Sequence, residues 1–194
     1  MKIIKLVLAF LALLWCSILL LWGTGFFYFL HITSNISNDN RNVTDAIVIF
    51  GGSQQNLYSG VQLLKLGYAP LAFITGHKPS EEYQNFLKTQ HVSPEQFIFD
   101  KSIASNKSNH AMDAMIFLKK YQFNSMRLVV KSYQLPRAML EIKSKISPDI
   151  IVIPHPISQK QANYTLIFEE YTQYILVLMA SFIGKEDELN LSYT

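Results

Sequence analysis

The apolar positions of this chain follow two regimes. From residue 6 to residue 30 the run "LVLAFLALLWCSILLLWGTGFFYFL" contains no charged side chain, whereas beyond residue 45 short apolar runs alternate with helically spaced ones. A segment that is apolar on every face and this long predicts a helix crossing a bilayer, which needs roughly 20 residues. Lys2 and Lys5 precede it, and positive charge on the short leading side favours a cytoplasmic amino terminus with the remainder outside. Trp22, Phe26, Phe27 and Tyr28 suit the far interface. A cleaved signal peptide would have a core of about 7–15 residues and a small-x-small site. The core here is longer and no Ala-x-Ala follows, so residues 1–32 are expected to be an uncleaved anchor, with the lipid bilayer as partner through residues 6–30.

Residues 33–44 are polar and rich in Asn and Ser, a tether leaving the membrane. The domain expected over 45–184 alternates strands and helices, and a tail follows at 185–194. "AIVIF" (46–50) is a fully apolar, β-branched run, the pattern of a strand buried on both faces. Further strands are expected at 71–75, 96–100, 126–131 and 149–154. Helices are expected at 56–66, 80–90, 108–121, 135–146 and 164–183, with Ser80 and Ser108 as candidate caps, Gly67 as a stop and Pro136 as an opener. This order predicts an α/β, Rossmann-like three-layer fold: a mainly parallel five-stranded sheet covered by helices, preceded by one transmembrane helix. The apolar end of the last helix, 171–183, is too short to form a second span.

Charge and cysteine narrow the function. There are 17 Lys and Arg, two of them ahead of the anchor, against 14 Asp and Glu. The outer domain is therefore nearly neutral, which gives no reason to expect nucleic acid. Cys16, the single cysteine, lies inside the span, so a catalytic thiol is excluded from the domain.

In parallel sheets ligands bind beyond the carboxyl ends of the strands, near the point where strand order reverses. The residues there are Gly51-Gly52-Ser53, Gly76-His77-Lys78, Asp100 with "KSIASNKSNH", Lys131-Ser132-Tyr133-Gln134 and Pro154-His155-Pro156. Gly51 and Gly52 let backbone amides approach a ligand beside a helix start, whose partial positive charge favours anions. Neither a G-x-G-x-x-G fingerprint nor a Walker A loop is present, and no cofactor is expected. Arg137, in the first turn of its helix, could clamp a phosphate or carboxylate, or it could pair with Glu141 one turn later. Asn106 and Asn109 sit where an amide either caps a helix or meets a ligand. His77, His110 and His155 do not stand at metal-ligand spacing on one helix, so no metal site is expected.

The anchor followed by "DAIVIFGGSQQNLYSGVQLLKLGYAPLAFITG", "SNKSNHAMDA" and "LVVKSYQLPRAM" resembles the YdcF-like family of bacterial proteins over roughly residues 45–156. Asp45, Gly51, Gly52, Gly67, Pro70, Gly76, Asn106, Ala111, Ser132, Pro136, Arg137 and Ala138 match its pattern. The resemblance implies a Rossmann-type domain on the periplasmic side of the bacterial inner membrane, held by a single pass and tied to envelope integrity and peptidoglycan or lipid-carrier metabolism. The departures are specific. The family's N-T-x-E-N-A is here Asn106-Lys107-Ser108-Asn109-His110-Ala111. Gln134 stands about where a His is expected, and Asn56 where an Arg often follows the Gly-rich loop. Two proton carriers are thus lost, while Lys107 and Lys131 add positive charge.

The sequence therefore leads to a periplasmic domain that binds or processes an anionic, phosphate-bearing and possibly lipid-linked precursor. Gly51, Gly52, Ser53, Asn106, Lys131, Ser132 and Arg137 are the expected ligand contacts, and His110 and His77 the expected acid or base. The competing readings are a catalytically silent scaffold with a degenerate site and a cytoplasmic nucleotide-binding enzyme.

Overall fold

The structure is a computed structural model describing residues 2–36, 39, 41–76, 81–99, 109–158 and 163–191, with side chains as far as 182. It opens with one helix, α1 (Lys2–Ser34), long and apolar enough to cross a membrane. From Lys2 to Leu21 every side chain of α1 is exposed. At 1.5 Å per residue this stretch runs about 30 Å, the thickness of a bilayer's hydrocarbon core.

The remainder is an α/β domain. Strands β1 (Ala46–Phe50), β2 (Leu71–Thr75), β3 (Phe97–Phe99), β4 (Ser125–Lys131) and β5 (Ile151–Ile157) form a parallel sheet in the order β3-β2-β1-β4-β5. Helices α2 (Gln54–Lys65), α3 (Glu81–Thr89), α4 (His110–Tyr121) and α5 (Leu135–Lys145) follow successive strands, and α6 (Tyr164–Leu191) closes the chain. The five-stranded three-layer architecture expected from the strand–helix alternation is the observed one.

Side chains alternate across each strand, so β1 feeds two cores. Ala46, Val48 and Phe50 join Met126, Leu128 and Val130 under α4 and α5, through Ala114, Leu118, Ala138 and Ile142. Ile47 and Ile49 join Ala72, Ile74 and Val129 under α2 and α3, through Leu57, Val61 and Leu87. Burial on both faces explains why β1 reads as an unbroken apolar run.

The fifth strand differs from expectation. It was expected to stop at 154, leaving Pro154-His155-Pro156 as a loop at the carboxyl edge, but all three lie inside β5. Prolines normally break a sheet because they lack an N–H. At alternate positions on an edge strand, however, both missing donors fall on the same side, facing away from β4. His155 is thereby drawn out of the proposed ligand edge and onto the sheet face. Its Nδ1 is buried without a partner among the described residues. Burial, and then the nearby charge of Arg127, pulls its pKa down from 6.5 to about 4.

Two contacts decide how α1 joins the domain. Phe29 of α1 packs with Tyr133, which lies in the short turn Ser132–Gln134 between β4 and α5, and with Ile167 and Tyr171 of α6. The end of α1 is therefore seated at the carboxyl edge of the sheet. The linker then returns to the opposite edge, where fully buried Arg127 donates to the carbonyls of Asp39 and Asn42, each at 2.6 Å. Its guanidinium also stacks 4.6 Å from the centre of the Tyr68 ring.

Candidate functional site

Strand order reverses between β1 and β4, because β1 leads outward to β2 on one side while β4 and β5 continue on the other. A cavity of about 170 Å³ opens at the carboxyl ends of these two strands. It is lined by Phe50, Gly51, Ser53 and Asn56 from the first crossover and by His110 of α4. Val130, Lys131, Gln134, Arg137, Ala138 and Glu141 line it from β4 and α5.

The opening loop is built by its own chemistry. Gly51 adopts a φ of +72°, a left-handed conformation that side chains resist. This turns the chain from β1 into Ser53, whose hydroxyl accepts the Asn56 N–H at 3.3 Å and caps α2. Asn56 is buried, its amide donates to the Phe50 carbonyl at 2.7 Å, and its Oδ1 has no partner among the described residues. Three helix starts therefore converge on the cavity: α2 with Ser53 and Asn56, α4 with His110, and α5 with Gln134 and Arg137. Each helix start carries a partial positive charge, and the Glu141 carboxylate and the Lys131 ammonium stand beside them in the lining.

His110 is the first residue of α4, behind Asn109, whose side chain accepts the Met112 N–H at 3.1 Å. Its Nδ1 lies 2.8 Å from the Thr75 hydroxyl, which also reaches the Ile49 carbonyl at 3.2 Å. A hydroxyl donates only one proton. That proton goes either to the Ile49 carbonyl or to Nδ1, and in both arrangements Thr75 holds the imidazole through Nδ1. The phenyl ring of Phe50 packs on the imidazole at 5.3 Å.

Arg137 is committed elsewhere. Its Nε and Nη2 hold Glu170 of α6 at 2.7 and 3.2 Å, and Nη1 holds Glu141 at 2.7 Å. Burial opposes the charge of Arg137, but the bonds and charges of Glu170 and Glu141 outweigh it and raise its pKa. The pairing with Glu141, one of the two roles open to this arginine in the sequence, is the one adopted. The guanidinium lines the cavity with its charge matched by the two carboxylates.

The other expected contacts divide. Gly51, Ser53, Lys131 and His110 meet at the cavity, together with Arg137. Gly52 is in the loop, but its carbonyl accepts the Tyr83 hydroxyl at 3.0 Å. Ser132 is displaced to the far side of its turn, where it lines a separate groove with Leu30, Thr33 and Tyr164. Turning through three residues necessarily points Lys131 and Ser132 to different sides. His77 and Asn106 lie outside the described residues, as do Asp100 and the candidate caps Ser80 and Ser108.

Sequence reasoning did not place Thr75, Glu141 or Glu170 in this neighbourhood as a set. Thr75 ends a strand as a single polar residue after four apolar ones, a signal that could have been read. Glu170 sits in the last helix with no local motif. Gln134, where the resemblance expected an imidazole, donates to Glu170 at 3.0 Å and so helps fix α6.

Over 165 residues the chain is 30% identical to "Uncharacterized protein RC1356" of Rickettsia conorii, covering 84% of this chain and 95% of that protein. It is 27% identical over 165 residues to "Uncharacterized protein RP875" of Rickettsia prowazekii, covering 84% of this chain and 94% of the relative. No family model matches the chain, and no solved structure matches it.

Proposed function

We propose that this chain, which belongs to the family of the Rickettsia conorii protein RC1356, is a single-pass inner-membrane protein whose periplasmic domain binds a phosphate-bearing, lipid-linked precursor in envelope biogenesis. The observation that carries this reading is the convergence of three helix starts with Lys131 and His110 on one cavity at the strand-order reversal. At about 170 Å³ the cavity suits a phosphate or pyrophosphate group and is too small for a dinucleotide. The rest of the ligand would lie outside it.

The position of the anchor supports a ligand held by a membrane. The turn Ser132–Gln134 is shared: Gln134 faces the cavity, while Tyr133 packs against Phe29 of α1. Phe29 lies seven residues beyond Trp22, about 10 Å along α1, so a phosphate carried on a lipid would rise about that far to reach the turn. Lys131 supplies the positive charge, the helix starts supply N–H dipoles, and Asn56 Oδ1 accepts a hydroxyl of the ligand. Where turnover occurs, the His110 imidazole is the proton carrier, with Thr75 holding the ring. The periplasmic orientation rests on Lys2 and Lys5, and the envelope role on the resemblance to the YdcF-like family.

Full-length protein in detergent should bind farnesyl phosphate in calorimetry and should not bind farnesol. Lys131→Ala should weaken that binding at least tenfold. Equal binding of phosphate and alcohol, or an unchanged Lys131→Ala variant, would overturn the assignment of the cavity. A carboxyl-terminal reporter fusion active only in the cytoplasm would overturn the orientation and favour the cytoplasmic enzyme.

The second reading is a catalytically silent scaffold. The pairing of Arg137 with Glu141 and Glu170 favours it, because the residue best suited to stabilise a transferring phosphoryl group is neutralised. Complementation of an envelope defect by a His110→Ala variant would support the scaffold over an enzyme.

A further inference from the structure

Helix α6 presents an apolar face that no part of the described domain covers. Phe168, Leu176, Met179 and Phe182 are 47%, 55%, 57% and 66% exposed. Residues 168, 175, 179 and 182 recur at helical spacing and form one stripe, which begins against α1, with Phe168 beside Trp22 and Phe26 and Ile175 packed on the Phe29–Tyr171 cluster, and runs out exposed at Met179 and Phe182. Glu169 and Gln173 occupy another side of the helix, and from Tyr171 to Gly184 there is no charged residue. On a soluble surface such a stripe would be an aggregation liability.

The contact with α1 indicates what covers it. Trp22 marks the end of the freely exposed part of α1, and its ring lies 5.0 Å from Phe168 and 5.2 Å from Tyr171. The Tyr171 hydroxyl donates to the Trp22 carbonyl at 3.0 Å. Gly25 permits this approach, because a Cβ there would run into that hydroxyl. α6 thus crosses α1 where its unsupported length of about 30 Å ends, which is headgroup level if α1 spans the bilayer. The apolar stretch 171–183 is only about 20 Å long, enough to lie in an interface and too short to cross it.

We propose that α6 is an interfacial helix, its stripe of Phe168, Ile175, Met179 and Phe182 immersed in the outer surface of the bilayer that α1 crosses. This rests on the membrane-anchored reading of α1. The stripe is continuous with the aromatic cluster around Trp22, so α1 and α6 together form one lipid-facing surface. The carboxyl edge of the sheet is held against the membrane by two elements instead of one. Glu170 links that surface to the cavity through Arg137 and Gln134.

The test uses the full chain in phospholipid vesicles, with Cys16→Ser as background and nitroxide labels at single cysteines. Labels at Met179→Cys and Phe182→Cys should collide with oxygen several-fold more readily than with an aqueous nickel chelate, as should Leu14→Cys within α1. Gln173→Cys should show the opposite preference. Nickel preference at 179 and 182 with oxygen preference at 14 would overturn the interfacial helix and leave the anchor standing. Dipolar broadening at 179 with both reagents excluded would mean that a second copy of the chain covers the stripe, which also overturns it. Nickel preference at 14 would remove the anchor and the proposal together.

Discussion

Arg137 grips Glu170 side-on, with Nε to Oε2 at 2.7 Å and Nη2 to Oε1 at 3.2 Å. This joins α5 to α6 directly beside the cavity, and the partners expose only 24% and 14% of their side chains. Removing one carboxylate leaves a half-buried arginine with only Glu141. Glu170→Gln should therefore lower stability by about 1–3 kcal/mol, measured by chemical denaturation. The same change removes one negative charge beside the cavity and leaves Arg137 balanced by Glu141 alone, so phosphate affinity measured by calorimetry should rise.

His155 gives the domain a stability that depends on mild acid. Burial and the charge of Arg127 lower its pKa in the fold to about 4, while an unfolded chain keeps about 6.5. Between these values the unfolded state binds more protons, so stability falls as pH drops from about 6.5 to 4 and is fully retained above that window. His155→Leu should flatten the stability profile across it, as read from denaturation midpoints at successive pH values.

Asp45 acts at lower pH. Burial opposes its charge, but the Ser125 hydroxyl and the N–H groups of Asn124 and Ser125 all donate to Oδ2 and lower its pKa below 3.8. Its contribution is present above 3.8 and is lost as pH falls through the lower folded value. Asp45→Asn should cost about 1 kcal/mol at pH 7 and remove this contribution to the acid transition, monitored by circular dichroism.

Gly60 faces β1 from α2, where a Cβ would collide with Ile49 Cδ1. Gly60→Ala gains about 1 kcal/mol of helix propensity but overpacks a filled core at a cost of about 1–3 kcal/mol. A net loss on the order of 1 kcal/mol is expected. Adding Ile49→Val should restore most of it, and a thermal-melt double-mutant cycle would measure that coupling.

The succession of β1 to β5 with its intervening helices, and the long apolar helix α1, could be read from the sequence because each follows from local regularity. A buried strand needs every position apolar, as in Ala46–Phe50, and a spanning helix needs an uninterrupted apolar length. The gathering of Gly51, Ser53, Lys131 and His110 at one edge could also be read, because a parallel sheet aligns all its strand ends. β5 runs to Ile157, three residues past its expected end at 154, because an edge position facing away from β4 makes Pro154 and Pro156 tolerable.

What the sequence could not give was the state of each side chain's partners. Whether Arg137 meets a ligand or a carboxylate depends on where α6 returns, and Glu170 comes from a helix with no local mark of that role. Likewise Ser132 and Lys131 are neighbours in sequence, yet one turn of backbone sends them to different cavities. Hydrophobic spacing determined the layers of this protein because burial is a property of each residue taken singly. The charge balance of the cavity was decided by tertiary structure alone, because an ion pair exists only when two distant segments are brought within hydrogen-bonding reach.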